Sequence, residues 1–439
     1  MTIFRNLLQC TAVVWIGAAC SGITEVTNYD QTLQSDLDNP QGALIREASA
    51  QSDFIGAAID AMQYGGLISD ELHFVTAFTN PATFGDRRNL TQANQNDPNI
   101  GQYDSPYQQF TKAHIQIIRA LQALRTYDPT MRTDIGQMYA EAGFVETFFV
   151  EEFCSGVPIA AVVDGIPTTS TTLSRDALTS LALTHFDSAI VFATGSAGTN
   201  AQLVALAEVG RARVLLDVDS VAEAASAVAN TPVGFSDSVA VDGNIWVNLI
   251  PLLTTNYATI GNIEGTNGLA FVEAGQSGDT RVGLDSTPAA SGLPTLYSPA
   301  KYPSLTSSIV LASGVEAQLI VAEAQLRGGN VSGWAAILNT LRAGASPPLP
   351  SIPTDSTTAA TASLRQDVMF RERALWLFLT GHRQGDLRRL IRAYHRNVDA
   401  VFPIGDYGGG FSYGSATAFI PFGEAGNSNY QGCLEADQP

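Results

Sequence analysis

The sequence predicts an all-α fold in which helical hairpins pack against an irregular, loop-rich lobe. Apolar residues recur at helical spacing over residues 28–230 and 309–396. Residues 231–308 are rich in Gly, Ser, Thr, Asn and Pro, and residues 400–439 in glycine and aromatics, without a long apolar period. Hydrophobic residues make up 45% of the chain, which is enough for a substantial core. We therefore expect residues 20–439 to form one large domain.

The first 19 residues have the pattern of a signal peptide. Arg5 precedes an apolar run, Leu7–Ala19, that is too short to cross a bilayer, which needs about 20 residues. Small residues then lead into Cys20, as in a bacterial lipobox, although Gly17 stands where leucine is usual. The alternative is an ordinary secretory leader with an incidental cysteine. Because Ser21 and no aspartate follows Cys20, a lipidated Cys20 would favour the outer membrane of a Gram-negative bacterium.

Two cysteines remain after the leader is removed and Cys20 is lipidated. They are Cys154 and Cys433. A lone pair in an exported protein commonly forms a disulfide, which here would tie the C-terminal tail to the middle of the chain. The alternative is two buried free thiols.

Helical spacing predicts the elements of the first half of the chain in order. The expected ranges are Ala43–Tyr64, Tyr107–Arg125, Ile135–Phe153, Thr172–Thr194, Leu203–Asp217 and Val221–Asn230. We expect the first helix to stop at Gly65–Gly66 and the fourth to be capped by Ser174. Small residues such as Ala207 and Gly210 would let the last two helices approach closely, as tetratricopeptide-type pairs do.

The rest of the sequence predicts two loop-rich regions, another helical hairpin and a broken helix. Leu67–Asn89 should be loop, and residues 231–308 should hold short strands and long loops. Ser313–Arg327 and Gly333–Gly344 form the second hairpin. The arginine-rich stretch Arg371–Leu390 reads as an amphipathic helix that breaks at Gly381–His382 and restarts with Asp386 as its cap. Its arginines should pair with carboxylates such as Glu372 and Asp386 or with helix C-termini, and His382 should bond a neighbouring carbonyl.

Charge and motifs argue against several functions. A net charge of −19 leaves no basic stripe for nucleic acid or anionic headgroups. Gly410–Gly414 spells G-x-S-x-G but lacks the buried strand before it and the helix after it. The five histidines show no metal-ligand spacing, and Glu151–Glu152 point about 100° apart on a helix, so they do not flank one bond. We therefore predict no enzyme activity, no cofactor and no metal.

Several strings, in order along the chain, resemble the SusD/RagB family of outer-membrane nutrient-binding lipoproteins. They are Gly65–Glu71 followed by Arg87–Asn89, the Phe153–Pro158 turn, Glu323–Ala324 with Asn339–Arg342, Arg371–Leu390, and the tail Phe419–Glu424. The resemblance implies a tetratricopeptide-like scaffold and a surface lid over a TonB-dependent, SusC-like outer-membrane barrel. The lid would capture an oligomeric glycan or peptide without chemistry, facing the cell exterior.

In glycan-binding members of that family, loop aromatics stack on sugars while Asn, Asp and Arg bond the hydroxyls. Two regions of this chain have such a composition. The candidates are Phe84, Arg87, Arg88 and Asn89 after Asp70–Glu71, and Trp246, Asn248, Tyr257, Arg281 and Tyr297 in the lobe. The few tryptophans argue against a long aromatic platform. The competing functions are an exported carbohydrate-active hydrolase, which would need two carboxylates about 5–10 Å apart in a cleft, and a surface scaffold that uses its helical grooves for protein contacts.

Overall fold

Helices dominate the structure, a computed structural model. It describes residues 34–75, 87, 106–168, 171–195, 198–256, 258–261, 269–287, 295–352, 360–408, 411–414 and 427–429. The helices are α1 (Pro40–Ile68), α2 (Pro106–Tyr127), α3 (Arg132–Glu152), α4 (Arg175–Ala193), α5 (Ala201–Asp217), α6 (Val221–Ala227), α7 (Ile250–Asn256), α8 (Phe271–Gln276), α9 (Gly314–Arg327), α10 (Val331–Ala343), α11 (Ala362–Trp376) and α12 (Arg383–Arg392). The predicted all-α fold is confirmed.

The first five helices pack successively, each against the next, around the largest hydrophobic core. The helices predicted from periodicity are present with small shifts at their ends, and α9 with α10 forms the second predicted hairpin. Ser174 is the N-cap of α4, and its Oγ accepts a hydrogen bond from the Ala177 amide at 3.2 Å. This prediction is confirmed. Helix α1 begins in the same manner at Asn39, whose side chain accepts from Gly42.

The predicted stop of the first helix at Gly65–Gly66 is wrong, because α1 continues to Ile68. The two glycines serve close packing instead. A Cβ on Gly65 would lie 2.7 Å from Glu152 Oε1, and one on Gly66 would lie 3.2 Å from the Leu379 side chain. Within the stretch predicted as loop, Leu72–Phe74 forms a short strand.

The interface of α3, α4 and α5 depends on two glycines that hold the Phe186 ring. A Cβ at Gly143 would approach the ring to 2.8 Å and one at Gly210 to 2.4 Å. Phe186 is fully buried, so its ring has no free space to enter. Gly210 therefore permits close helix contact, but with Phe186 of α4 and Phe144 of α3 and not with α6, the partner that the sequence predicted.

Gly210→Ala should therefore destabilise the protein. Alanine gains about 1 kcal/mol over glycine in a helix, but overpacking costs more, and we expect a net loss of about 1–3 kcal/mol. Chemical denaturation measures the change. Gly234→Ala is the control, since nothing lies within 4 Å of a Cβ at that position. An unchanged unfolding midpoint for Gly210→Ala would contradict the tight packing.

Residues 231–308 of the irregular lobe hold short antiparallel strands and loops, as predicted, and also the short helices α7 and α8, which were not predicted. The strands along the chain are β1 (Leu72–Phe74), β2 (Val157–Ile159), β3 (Val162–Val163), β4 (Ile166–Pro167), β5 (Thr171–Leu173), β6 (Ser236–Val239), β7 (Ala258–Ile260), β8 (Leu284–Thr287), β9 (Leu296–Pro299), β10 (Ile309–Ser313), β11 (Asp406–Gly408) and β12 (Phe411–Ser412). Strands β1 to β5 and β10 to β12 lie outside residues 231–308. The strands pair as β1–β7, β2–β5, β3–β4, β6–β10, β8–β9 and β11–β12. A second core, which includes Ile59, Phe271 and Phe378, joins this lobe to the helices.

Helix α3 is the central helix, and every residue from Met138 to Glu152 is buried. Four of those residues are glutamates, each in a different environment. Glu146 Oε1 and Oε2 each lie 2.9 Å from a histidine nitrogen, of His114 and His185. Burial alone would raise the pKa of Glu146, but these hydrogen bonds outweigh it and the pKa is lowered. Burial raises the pKa of Glu152 well above its usual value, with the Glu151 charge adding to the effect.

The Arg371–Leu390 stretch joins parts of the chain that are distant in sequence. Arg373 Nε lies 2.9 and 2.8 Å from the two oxygens of Asp386, and Arg383 binds Asp70 at 2.6 and 2.7 Å. Arg388 Nη1 donates to three carbonyls at the C-terminal end of α3, those of Val150, Glu151 and Phe153. The predicted pairing is confirmed for Arg373 and Arg383, which bind carboxylates, but not for Arg371, which makes no hydrogen bond or ion pair to a described residue. Glu372 instead pairs with arginines outside this stretch, Arg281 and Arg342.

The break in that stretch is confirmed, but the predicted cap is wrong. Gly381 has φ +76°, which suits glycine, and α12 starts at Arg383 with His382 as its N-cap. Asp386 lies within the first turn and is buried, because two arginines, Arg373 and Arg389, hold it there. His382 Nδ1 lies 3.0 Å from the Thr380 carbonyl, as expected for a histidine beside the break.

Across the described part of the chain, we find no helix that is both long and apolar enough to span a membrane.

Candidate functional site

Three of the residues predicted to bind ligand are buried and engaged within the fold. Arg87 Nη2 donates to the Gly414 carbonyl at 3.0 Å. Asn248 donates to the Ser307 carbonyl and accepts from the Ile250 amide, both at 3.1 Å. Arg281 pairs with Asp279 and Glu372 and lies over the Trp376 ring at 5.2 Å. These contacts position loops, so a direct role in binding stays a prediction for each of the three.

Trp246 and Tyr297 are only half-buried. The Trp246 indole lies against α1, where its Nε1 donates to Ser52 Oγ at 2.9 Å and its ring occupies the space over Gly56. The Tyr297 hydroxyl accepts a hydrogen bond from Gln276 Nε2 at 3.0 Å. Tyr297 lies on β9, and its amide donates a hydrogen bond to Thr259 of β7.

The other predicted site residues fall outside the described residues. These are Phe84, Arg88, Asn89 and Tyr257, together with the lipidation site Cys20 and the disulfide partner Cys433. Cys154 is buried and disulfide-bonded. The assignment of Cys433 as its partner stays a prediction.

The ladder between β1 and β7 brings the two predicted regions together. His73, which follows Asp70–Glu71, pairs in register with Thr259 of the lobe. Thr259 Oγ1 in turn accepts a hydrogen bond from the Tyr297 amide on β9 at 2.9 Å. Leu72 and Phe74 are buried while His73 between them is half-buried, since neighbours on a strand point to opposite faces. His73, Thr259 and Tyr297 therefore belong to one partly exposed region of the lobe.

Two tyrosines from the C-terminal tail complete this region. The His73 ring stacks on Tyr407 with centroids 4.2 Å apart and an interplanar angle of 19°. Tyr413 lies 4.7 Å from Tyr407, and the Arg87 guanidinium lies 4.9 Å from the Tyr413 ring. Tyr407 is buried and fixed, because its hydroxyl accepts from the Phe74 amide at 2.9 Å. We call His73, Tyr407 and Tyr413 the aromatic cluster.

The protonation states of the cluster favour hydrogen bonding at neutral pH. Burial raises the pKa of Tyr413 to about 12, although the nearby Arg87 charge opposes this. Burial lowers the pKa of Arg87 to about 10, so the guanidinium stays charged. His73 and Tyr413 are half-buried. The cluster thus combines ring surface with a tyrosine hydroxyl and an imidazole, and the buried Arg87 lies beside it. This combination suits a ligand that has both apolar and hydroxyl groups.

Sequence reasoning missed this cluster as a unit. The sequence places His73 only within the predicted loop Leu67–Asn89, and Tyr413 only within the rejected G-x-S-x-G string Gly410–Gly414. The available signal was the repetition of aromatics, Tyr407, Phe411 and Tyr413, in a glycine-rich tail.

Over the described residues, no group of three or more His, Cys, Asp or Glu side chains is placed to hold a metal ion.

Several solved structures of Bacteroides proteins have folds similar to that of this chain. A SusD superfamily protein from Bacteroides thetaiotaomicron has a TM-score of 0.64 at 13% identity, covering 90% of this chain and 100% of that one. A putative sugar binding protein from Bacteroides vulgatus gives 0.63 at 14% identity, with 89% and 99% covered. Surface glycan-binding protein A from Bacteroides uniformis gives 0.59 at 13% identity, with 86% and 97% covered.

Comparison of the sequence with protein-family models and with curated proteins gives no match. The structural likeness extends over most of both chains. The element content of this chain and its likeness to solved structures both confirm the expected helical scaffold with an irregular lobe. The chain therefore has the fold of the SusD superfamily.

Proposed function

We propose that this protein binds an oligomeric carbohydrate at the aromatic cluster. The observation that carries the proposal is the junction of β1, β7 and the C-terminal tail, where three aromatic rings and Arg87 meet on a partly exposed part of the irregular lobe. Proteins of the same fold include a surface glycan-binding protein and a putative sugar binding protein. The C–H faces of a sugar would pack on ring surface, while its hydroxyls would bond to the half-buried Tyr413 and His73.

The wider role we propose is that of a lid for a TonB-dependent, SusC-like outer-membrane barrel. Cys20 would carry the lipid anchor, and the protein would face the cell exterior. The leader pattern, the lipobox and the fold support this role together. The protein would deliver its ligand unchanged, since no catalytic pair is evident at the cluster.

Tyr413→Ala should weaken carbohydrate binding by about tenfold or more, because truncation of an aromatic hot-spot residue costs about 2 kcal/mol or more and each ~1.4 kcal/mol is about tenfold in affinity. Tyr413→Phe keeps the ring and should lose less. Isothermal titration against an oligosaccharide found by a glycan screen, on the chain lacking residues 1–20, measures both changes.

Tyr127→Ala provides the matched control, since this half-buried tyrosine ends α2 outside the cluster. Thermal unfolding of each variant separates loss of binding from loss of fold. Equal affinity of Tyr413→Ala and the unmodified protein for the oligosaccharide would contradict the cluster as the site.

The same titration tests the two competing functions. A hydrolase would release shorter products, which chromatography of the oligosaccharide after incubation detects. A protein scaffold would bind no oligosaccharide in the screen and would leave it intact. Saturable binding without product supports the binding protein and rejects both.

A further inference from the structure

An open cavity of about 420 Å³ lies between α11, α12 and the turn at Val398–Ala400. Its volume falls within the range of small-molecule sites. Apolar side chains form much of its wall: Leu269, Phe370, Leu387, Leu390 and Val401. None of the aromatic-cluster residues lines it, so the cavity is separate from the proposed carbohydrate site.

The cavity wall carries more positive than negative charge after its ion pairs are counted. Arg396 lies 2.9 Å from Asp367, and both line the cavity. Arg383 is neutralised by Asp70. Arg371 is exposed and also lines the cavity, and it makes no hydrogen bond or ion pair to any residue within the described ranges. The wall therefore carries one uncompensated positive charge in a protein whose net charge is −19.

A second arginine adds an available donor. Arg383 is more than nine-tenths buried and gives Nε and Nη2 to the two oxygens of Asp70. Its Nη1 has no hydrogen-bond partner among the residues that the structure describes, and it is not sealed from solvent. Guanidinium groups bind carboxylates through paired N–H donors and are preferred where that geometry matters.

We propose that this cavity binds an organic carboxylate that has an apolar body, such as a short peptide ending in an apolar residue with a free C-terminus. Arg371, helped by Arg383 Nη1, would bind the carboxylate, and the leucines with Phe370 would contact the apolar group. A single uncompensated charge fits one carboxylate. A polyanion would meet the repulsion of the overall charge of −19.

Two probes that differ only in charge test this directly. We expect the full-length protein to bind acetyl-Leu-Phe at least about tenfold more tightly than its C-terminal amide, as a charge-assisted pair requires. Arg371→Gln should remove that preference, and Arg371→Lys should keep part of it. Nuclear magnetic resonance titration measures the affinities.

Two further variants guard against misfolding and non-specific charge effects. Ala400→Trp places a large ring at an exposed position of the cavity wall and should abolish binding of both acid and amide. Arg211→Gln removes an exposed arginine from α5, away from the cavity, and should keep the preference for the acid. Equal binding of the two probes, no binding of either, or an unchanged preference in Arg371→Gln would overturn the proposal. None of these results depends on carbohydrate binding at the aromatic cluster.

Discussion

Replacing Arg213 with methionine should destabilise the protein by about 3–5 kcal/mol, the usual cost of leaving a buried charge without its partner. Arg213 Nε lies 2.7 Å from Glu151 Oε1 and Nη2 lies 2.5 Å from Oε2, and both side chains are only 4% exposed. Burial alone would lower the pKa of Arg213, but the Glu151 charge outweighs it and raises the pKa. Arg213 also donates to the Gly381 carbonyl, so the variant loses the tie between α5 and the break before α12. Chemical denaturation measures the loss.

The same helix offers a matched control two positions earlier. Arg211 pairs with Asp187 at 2.7 Å, but the two side chains are 28% and 58% exposed. Arg211→Met should cost less than about 1 kcal/mol, because water solvates an exposed pair and its charges separately. The double variant Arg213→Met with Glu151→Gln should recover part of the loss, since no charge is then left without a partner. A double variant as unstable as the sum of its single changes would show that the ion pair itself is not the source.

Periodicity predicted most helices because an amphipathic helix signals its own buried face. Periodicity did not predict the end of α1 correctly, because Gly65 and Gly66 pack against Glu152 and Leu379 and the helix continues past them to Ile68. A glycine that ends a helix and one that admits a neighbour look identical in a single sequence. The distinction requires knowledge of what packs against it.

Hydrophobic periodicity also does not indicate which charged residues pair when they are far apart in the sequence. Asp70 and Arg383 are 313 positions apart, yet they form a bidentate buried pair. The sequence predicted that the arginines would find carboxylates, but it supplied the wrong role for Asp386 and did not indicate Asp70. Several carboxylates compete for each arginine, and only the folded arrangement decides among them.

The candidate site was harder to predict, because His73, Arg87, Tyr407 and Tyr413 come from separate segments. Composition singled out the loop after Asp70–Glu71 and the lobe, and the β1–β7 ladder joins these two regions. The contribution of the tail could not be foreseen, since no local pattern places Tyr407 on His73. Asn248 and Arg281 show why composition alone is ambiguous, because residue types that bind sugars also hold loops in place.

The buried glutamates of α3 lead to the second large effect, at Glu141. This side chain is 4% exposed, and Gln137 Nε2 donates to its Oε1 at 3.1 Å. Burial raises the pKa of Glu141 to about 8 from 4.5, with the charges of Glu47 and Asp237 adding to the rise. Because the folded-state pKa is above the unfolded value, the contribution of Glu141 to stability is complete below about pH 4.5 and is lost as the pH rises toward 8.

Glu141→Gln keeps the shape of the protonated acid and cannot ionise. We expect the variant to be more stable than the unmodified protein by about 3 kcal/mol at neutral pH, with a difference that grows by about 1.4 kcal/mol per pH unit until it levels off near pH 8. Denaturant unfolding at several pH values between about 5 and 9 measures the difference. Glu223→Gln on α6 is the control, and its difference should stay flat because that side chain is exposed. A flat difference for Glu141→Gln as well would mean that water or a conformational change solvates the Glu141 carboxylate, and that α3 is less tightly enclosed than its burial implies.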